Sequence, residues 1–117
     1  MYRTVNGDGI IERAIKYISD NLALDLRLET VAAAVSISPI HFHNRFKRDV
    51  GMTFHKYVES KRFNKALSLL VTTDKTLSEI AYECGFSSQS YFNYVFKRRM
   101  NTTPREYTKN FYNKYHM

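Results

Sequence analysis

The sequence predicts an all-α fold of about seven helices, which form two helix-turn-helix subdomains joined by a long connector helix. Two observations carry this prediction. Apolar residues recur at helical spacing along nearly the whole chain, and no window alternates with the period of two that a half-buried strand shows. A pattern of short helix, small turn and second helix also occurs twice, about 50 residues apart.

The first two helices are predicted from stripes of apolar residues on one face. The first stripe consists of Ile11, Ile15, Ile18 and Leu22. Its helix begins near Gly9, where Asn6 and Asp8 are candidate start signals. It ends at the segment 23–25. The second, shorter stripe consists of Leu28, Val31, Ala32 and Val35.

Three later helices begin at capping patterns, in which a hydroxyl side chain satisfies otherwise unpaired backbone amides. The patterns are Ser38 before Pro39, Thr76 with Glu79 three residues later, and Thr103-Pro104 followed by Glu106. Gly51 and Gly85 then mark turns between helices. Together these signals predict about seven helices.

An internal repeat is the most informative feature of the sequence. The matching segments are 28–32 and 77–81, 42–48 and 92–98, and 53–57 and 103–107. Stacked solenoid repeats normally need three or more copies to be stable. Two copies therefore favour a duplicated subdomain over a solenoid.

The repeat divides the chain into two subdomains and a connector. The predicted ranges are an N-terminal extension at 1–8, the first helix-turn-helix subdomain at 9–52, the connector helix at 53–72, the second helix-turn-helix subdomain at 73–109 and a C-terminal tail at 110–117. A connector of about 18 residues spans roughly 27 Å, because an α-helix rises about 1.5 Å per residue.

The net charge of +7 is unevenly distributed along the chain. Residues 1–40 carry four basic and five acidic side chains, whereas residues 41–117 carry fourteen basic and six acidic ones. A field of one sign on part of a small domain favours a polyanionic partner, because binding releases the counterions of neutralised phosphates. Nucleic acid is therefore favoured over an anionic membrane surface.

Several other classes of protein are disfavoured by the residues. The apolar stretches are shorter than the roughly 20 residues of a membrane span, and no secretory signal pattern is present, so a soluble cytoplasmic protein is expected. Cys84, the single cysteine, is expected to be a buried small residue. His41 and His43 point to different sides of a helix, which argues against a metal site. Neither a glycine-rich phosphate loop nor an activated nucleophile is evident, so the chain is predicted to be no enzyme and to need no cofactor.

The second helix of each repeat has an apolar face and a polar face. The residues predicted to point inward are Phe42 and Phe46 in the first copy and Phe92, Val95 and Phe96 in the second. The outward residues are Ile40, His43, Asn44 and Lys47 in the first copy and Gln89, Ser90, Asn93, Tyr94 and Lys97 in the second. Asn and Gln pair with adenine, His and Ser with several base edges, and Ile with a thymine methyl. These faces suit the major groove of DNA, and an ordinary solvated face is the alternative for any single residue.

Basic residues end both of these helices, where their side chains would reach flanking phosphates. They are Lys47, Arg48, Lys97, Arg98 and Arg99. Ser38 is first of all a helix cap, and a cap beside the groove also meets a phosphate. We expect these residues to set affinity and register, while the polar faces read the sequence.

The chain resembles the DNA-binding domains of AraC/XylS-family transcription regulators. The resemblance is clearest over residues 76–107, TLSEIAYECGFSSQSYFNYVFKRRMNTTPREY, is looser over residues 28–51, and covers about residues 9–109. It implies seven helices in two helix-turn-helix subdomains joined by a long helix. It also implies sequence-specific binding to promoter DNA. The short stand-alone members, the MarA/SoxS/Rob group, are the most similar in organisation.

The resemblance also implies how the chain meets DNA. The second helix of each subdomain, here 39–48 and 89–99, reads one of two successive major grooves. The base-reading positions fall on Ile40, His43, Asn44, Gln89, Ser90, Asn93 and Tyr94. The implied partners are double-stranded promoter DNA, bound by a monomer, and RNA polymerase, contacted by an activator.

Departures from the family pattern leave the base preference open. Asn44 and Tyr94 stand where an arginine is usual, and Arg45 stands where an apolar residue is usual. Ser36 and Asn101 replace common glycines at turns, where we expect local adjustment with the fold retained.

Three other functions are compatible with the residues. One is a DNA-binding fragment of a larger, ligand-sensing regulator. Another is an adaptor whose basic helical surface binds a protein partner through the tyrosine-rich tail from Tyr107 to Tyr115. The third is an architectural DNA binder that acts through lysine and arginine alone, with little sequence discrimination. Outward Asn, Gln and Ser side chains favour specific reading over the third.

Overall fold

The computed structural model describes residues 8–115, and these residues contain seven α-helices and no strand. The helices are α1 (Ile10–Asp20), α2 (Leu28–Ala34), α3 (Pro39–Val50), α4 (Phe54–Thr72), α5 (Leu77–Glu83), α6 (Gln89–Met100) and α7 (Pro104–Tyr115). This confirms the predicted all-α class and helix count. Among residues 8–115, none of the helices combines the length and the hydropathy that a membrane span requires.

The chain divides after Lys61 into two compact units, and the division lies inside the long helix α4. α4 is one continuous helix, and its two ends pack into different cores. α7 continues through Tyr115, so residues 110–115 of the predicted tail are helical. The predicted subdomain boundaries themselves stay a prediction.

The core of the first unit is built by α1, α2, α3 and the start of α4. Ile11 and Ile18 of the predicted α1 stripe are fully buried, and Ile15 and Leu22 pack against them from the edge. The rings of Phe42 and Phe46 lie 5.5 Å apart and both meet the ring of Phe54 edge-on. Edge-to-face packing of this kind adds to the burial of apolar area in fixing one arrangement of the rings.

The core of the second unit repeats this construction with α5, α6, α7 and the second half of α4. Phe92 and Phe96 are fully buried, and Phe96 contacts both Phe63 of α4 and Tyr107 of α7. Cys84 is a free, fully buried cysteine, and burial raises the pKa of its thiol to about 11. The prediction of a buried small residue is confirmed, and the thiol stays protonated at neutral pH.

The helix starts follow the predicted capping patterns. The Ser38 hydroxyl accepts the amide of His41 at 3.2 Å, and Thr76 and Glu79 form a complete capping box. Thr103 accepts the amide of Glu106 at 3.1 Å in the same way before α7. α1 begins differently, because Gly9 has no side chain and the Asp8 carboxylate accepts the amide of Ile10 at 3.1 Å instead. Asn6, the other candidate start signal, lies outside the described residues.

Four turns require the left-handed backbone conformation. Ser36 and Gly85 occupy it between the two helices of each helix-turn-helix, with φ of 63° and 87°. Gly51 and Asn101 occupy it after the second helix, with φ of 89° and 60°. Each unit therefore holds one glycine and one other residue at these positions. At Ser36 and Asn101 the expected local adjustment takes the form of this positive φ. The conformation is higher in free energy for a residue with a Cβ than for glycine.

Candidate nucleic-acid interface

The second helix of the first unit, α3, leaves its predicted polar face exposed. Phe42 and Phe46 are buried on the opposite side, so the predicted inward and outward faces are confirmed for this helix. Ile40, His43 and Asn44 are all exposed, and the Ile40 side chain is 77% accessible. A β-branched apolar side chain left in water on an amide-bearing helix face is suited to a thymine methyl.

Arg45 lies on the inner face of α3, although it is charged. It is 3% exposed, and its guanidinium binds the Asp8 carboxylate and lies 4.0 Å from Asp49. The hydrogen bond from Arg45 holds the pKa of Asp8 below its usual range. The sequence showed that an arginine stands where an apolar residue is usual. The nearby Asp49 was a local signal for a partner, whereas Asp8, 37 positions away, was not foreseen.

The last turn of α3 carries the predicted phosphate-contacting residues Lys47 and Arg48, and both are exposed. The Arg48 guanidinium Nε is 3.0 Å from Asp49, so part of its charge is compensated within the protein. Ser38 is exposed at the start of α3, where its hydroxyl already accepts a backbone amide. Of these two cations, Lys47 is the one that forms no ion pair with a carboxylate of the described residues.

The second helix of the second unit, α6, buries Phe92, Val95 and Phe96 as predicted. Gln89, Ser90, Tyr94 and Lys97 are exposed on the other side. Asn93 differs from the predicted outward orientation, because it is half-buried. Its Oδ1 is buried and has no hydrogen-bond partner among the described residues. The Asn93 amide therefore lies at the edge between the exposed face and the core.

Aromatic rings organise the basic end of α6. The rings of Tyr91 and Tyr94 stack at 6.2 Å, and the Arg98 guanidinium lies 5.4 Å from the centre of the Tyr94 ring. Arg99 lies instead over the ring of Phe63, at 5.2 Å. Cation–π contacts of this kind restrict where a long side chain points. Tyr91, which is 42% exposed, was not among the predicted site residues, although its position three residues before Tyr94 signals a shared face.

The described residues contain no cluster of three or more histidine, cysteine or carboxylate side chains that could hold a metal ion.

Two duplicated helices with buried phenylalanines, exposed amides and basic ends define a helix-turn-helix protein. A family described as "Helix-turn-helix domain" matches residues 31–110 of the chain.

Relatives of known function show which family of helix-turn-helix proteins the chain belongs to. The chain is 37% identical over 106 residues to the xylose operon regulatory protein of Escherichia coli strain K12, covering 91% of this chain and 27% of that protein. It is 39% identical over 100 residues to the regulatory protein PocR of Salmonella typhimurium, covering 86% of this chain and 33% of that one. The chain belongs to the AraC/XylS family of regulators. It spans about a third or less of the length of these two relatives.

Solved structures share the fold. The C-terminal domain of AraT, a response regulator from Geobacillus stearothermophilus, superposes with a TM-score of 0.82 at 33% identity, covering 86% of this chain and 84% of that one. The DNA-binding domain of the transcription factor AdpA, solved in complex with a target DNA, superposes with a TM-score of 0.85 at 25% identity, covering 90% and 95%. The resemblance to the AraC/XylS family that the sequence predicted is thereby confirmed.

Proposed function

We propose that the chain is a sequence-specific DNA-binding transcription regulator, in which α3 and α6 each enter a major groove. One observation carries this proposal. Two helices of the same construction bury their phenylalanines and expose amide, imidazole and hydroxyl groups where solvated helices usually carry Glu and Lys. The AdpA domain, which has the same fold, is solved in complex with a target DNA.

The exposed faces carry the proposed base readers, which are Ile40, His43, Asn44, Gln89, Ser90, Asn93 and Tyr94. The amides of Asn44 and Gln89 can donate to and accept from adenine at once, which distinguishes it from the other bases. Asn93 is half-buried, so its amide must turn outward before it can reach a base. Its unpaired Oδ1 means that such a turn breaks no hydrogen bond seen in the described residues.

Phosphate contacts are proposed for Ser38, Lys47, Arg48, Lys97, Arg98 and Arg99. Arg98 is suited to such a contact, because its guanidinium lies over the ring of Tyr94, a proposed base reader. Arg99 is directed over Phe63 and is expected to contribute less to the salt dependence of binding. Such contacts set register and affinity and carry no sequence information by themselves.

A single chain is proposed to read two successive grooves. α4 has 19 residues, which at about 1.5 Å per residue gives a length of about 28 Å, the same order as the roughly 34 Å between successive major grooves on one face of DNA. The protein would act in the cytoplasm as an activator that contacts RNA polymerase, with no cofactor and no catalytic activity. RhaS, an HTH-type transcriptional activator of Enterobacter, is 34% identical over 101 residues, which supports activation over repression.

The test is selection from random duplexes at near-physiological salt, followed by titration of the selected site. We expect one chain to bind about 20 base pairs holding two short motifs one helical turn apart, with about a thousandfold preference over scrambled duplex. Duplexes with only one motif scrambled are the matched controls, and each should lose part of the affinity. Binding with little preference would favour an architectural binder, and no binding to DNA would favour a protein adaptor.

A second candidate function has the same DNA-binding chemistry, but in it the activity of the DNA-binding part is controlled by a ligand. The chain covers 28% of the structure of XylR, a xylose-binding transcription activator, which favours a DNA-binding part of a larger, ligand-sensing regulator. A reporter placed behind the selected site separates the two. Activation by this chain alone supports the stand-alone activator, whereas occupancy of the site without activation supports the fragment.

A further inference from the structure

An open cleft of about 680 Å³ lies within the second unit. Its walls are the segment between α4 and α5, the first residues of α5 and α6, and one face of α7. Three cationic side chains line it, which are Lys75, Arg105 and Lys109. One carboxylate, that of Asp74, lines it as well, so the cleft carries a net positive charge.

Two cations of α7 that line the cleft, Arg105 and Lys109, form no ion pair in the part of the chain that the structure describes. Arg105 and Lys109 are both exposed and lie four residues apart, which places them on the same face of α7. No carboxylate of the described residues pairs with either of them. Lys75 differs, because its ammonium lies 3.6 Å from the Glu83 carboxylate. An anion that enters the cleft would therefore be stabilised mainly by Arg105 and Lys109.

Two hydroxyls of the cleft already donate hydrogen bonds within the protein. Thr73 donates to the carbonyl of Leu69 at 2.7 Å, and Thr108 donates to the carbonyl of Pro104 at 3.0 Å. The guanidinium of Arg105 and the ammonium groups of Lys75 and Lys109 have donors and no acceptor. A ligand that offers only acceptors, such as a phosphate, satisfies this set.

The cleft is continuous with the proposed DNA interface through Gln89. This first residue of α6 lines the cleft and is also a proposed base reader. An anion in the cleft would therefore lie beside the groove that α6 enters. A phosphodiester is the anion that DNA places there.

We propose that this cleft binds a phosphate of the DNA backbone, with Arg105 and Lys109 as its main ligands and Lys75 as a secondary one. The inference rests on the proposed function and adds α7 to the DNA-contacting elements. A free phosphate offers the same chemistry, so the experiment must separate it from the backbone.

The test compares Arg105→Gln, Lys109→Gln and the double variant with Lys65→Gln in the full chain. Lys65 is an exposed residue of α4 outside the cleft, and its substitution removes the same charge. Each cleft variant should lose several-fold in affinity for selected and scrambled duplexes alike, and should lower the salt slope by about 0.9 if one phosphate contact is lost. Lys65→Gln should leave the slope unchanged, and circular dichroism checks that every variant is folded.

Two results would overturn the inference without touching the proposed function. One is a wild-type salt slope in all three cleft variants while wild-type protein still discriminates between sequences. The other comes from an NMR titration with inorganic phosphate at constant ionic strength. Saturable shifts of the Arg105 side chain, together with unchanged DNA binding by Arg105→Gln, would assign the cleft to a free anion. Loss of discrimination by the wild-type protein would instead reject the proposed function and this inference together.

Discussion

The two units share one plan, yet they differ at a buried position of the second helix. Arg45 of α3 corresponds in the repeat to Val95 of α6, and both side chains are buried. Val95 needs only apolar neighbours. Arg45 needs carboxylates, which Asp8 and Asp49 supply. The repeated helix-turn-helix therefore accommodates a charge at this buried position where other residues neutralise it.

The largest effect is expected from breaking the buried ion pair. Arg45→Ala should lower the free energy of unfolding by about 3 kcal/mol, because truncating this buried side chain leaves a cavity in the core and leaves the buried Asp49 carboxylate with Arg48 alone as its partner. Arg48→Ala is the matched control, since Arg48 pairs with the same carboxylate from a half-exposed position, and it should cost less than about 1 kcal/mol. Urea unfolding followed by circular dichroism measures both. Equal costs would show that burial does not distinguish the two arginines.

The next effect concerns how α6 reads DNA. Asn93→Ala should reduce discrimination among sequences by roughly tenfold to a hundredfold, the value of one bidentate base contact. Lys97→Ala should weaken binding to all duplexes and lower the salt slope by about one. Titrations of the selected and scrambled sites at several salt concentrations separate these effects. If Asn93→Ala changes stability and leaves discrimination intact, the half-buried amide belongs to the core and is no base reader.

A smaller effect is expected at the left-handed turns, where the units exchange glycine for other residues. Gly51→Ala should destabilise by about 1 kcal/mol through its φ of 89° alone, since no atom lies within 4 Å of the added Cβ. Ser36→Gly should stabilise by about 1 kcal/mol for the converse reason. Asn101→Gly should change little, because asparagine tolerates this conformation. Thermal and urea unfolding test the order, and an equal gain at Ser36 and Asn101 would contradict it.

The smallest effect is expected in the acid limb of the curve of stability against pH, where the free energy of unfolding falls as the pH is lowered. The pKa of Asp8 is lowered by its hydrogen bond from Arg45, and the pKa values of Glu79 and Glu106 are lowered by their capping bonds to Thr76 and Thr103. Each carboxylate therefore stabilises the fold above its unfolded pKa, and the contribution is lost as pH falls through the lower folded value. Asp8→Asn should flatten this limb, as should Glu79→Gln in the other unit. An unchanged limb in Asp8→Asn would mean that Arg45 is neutralised by Asp49 alone.

Most of the fold could be predicted from local patterns. Helix starts at Ser38, Thr76 and Thr103 depend on bonds that reach only three residues along the chain, so short motifs encode them. The inward faces of α3 and α6 follow from phenylalanines one turn apart, because helical geometry alone places them on one side. The repeat then showed that the same unit occurs twice.

Parts of the candidate site could not be predicted in this way. The partial burial of Asn93 depends on how closely α6 packs against its neighbours, whereas helical periodicity reports only direction around the axis. The stacking of Tyr91 on Tyr94 and the position of Arg98 over Tyr94 depend on side-chain rotamers. Sequence spacing permits such contacts without selecting them.

The sequence by itself determined the helical class, the duplicated helix-turn-helix plan, the caps and the basic, amide-bearing faces. All of these follow from neighbours within one or two helical turns. Only the tertiary structure decided that Asp8 neutralises Arg45, 37 positions away, and that Gln89 shares a cleft with Arg105 and Lys109. These groups meet because apolar packing brings distant segments together. Residue order alone carries no distance between side chains that lie so far apart in the chain.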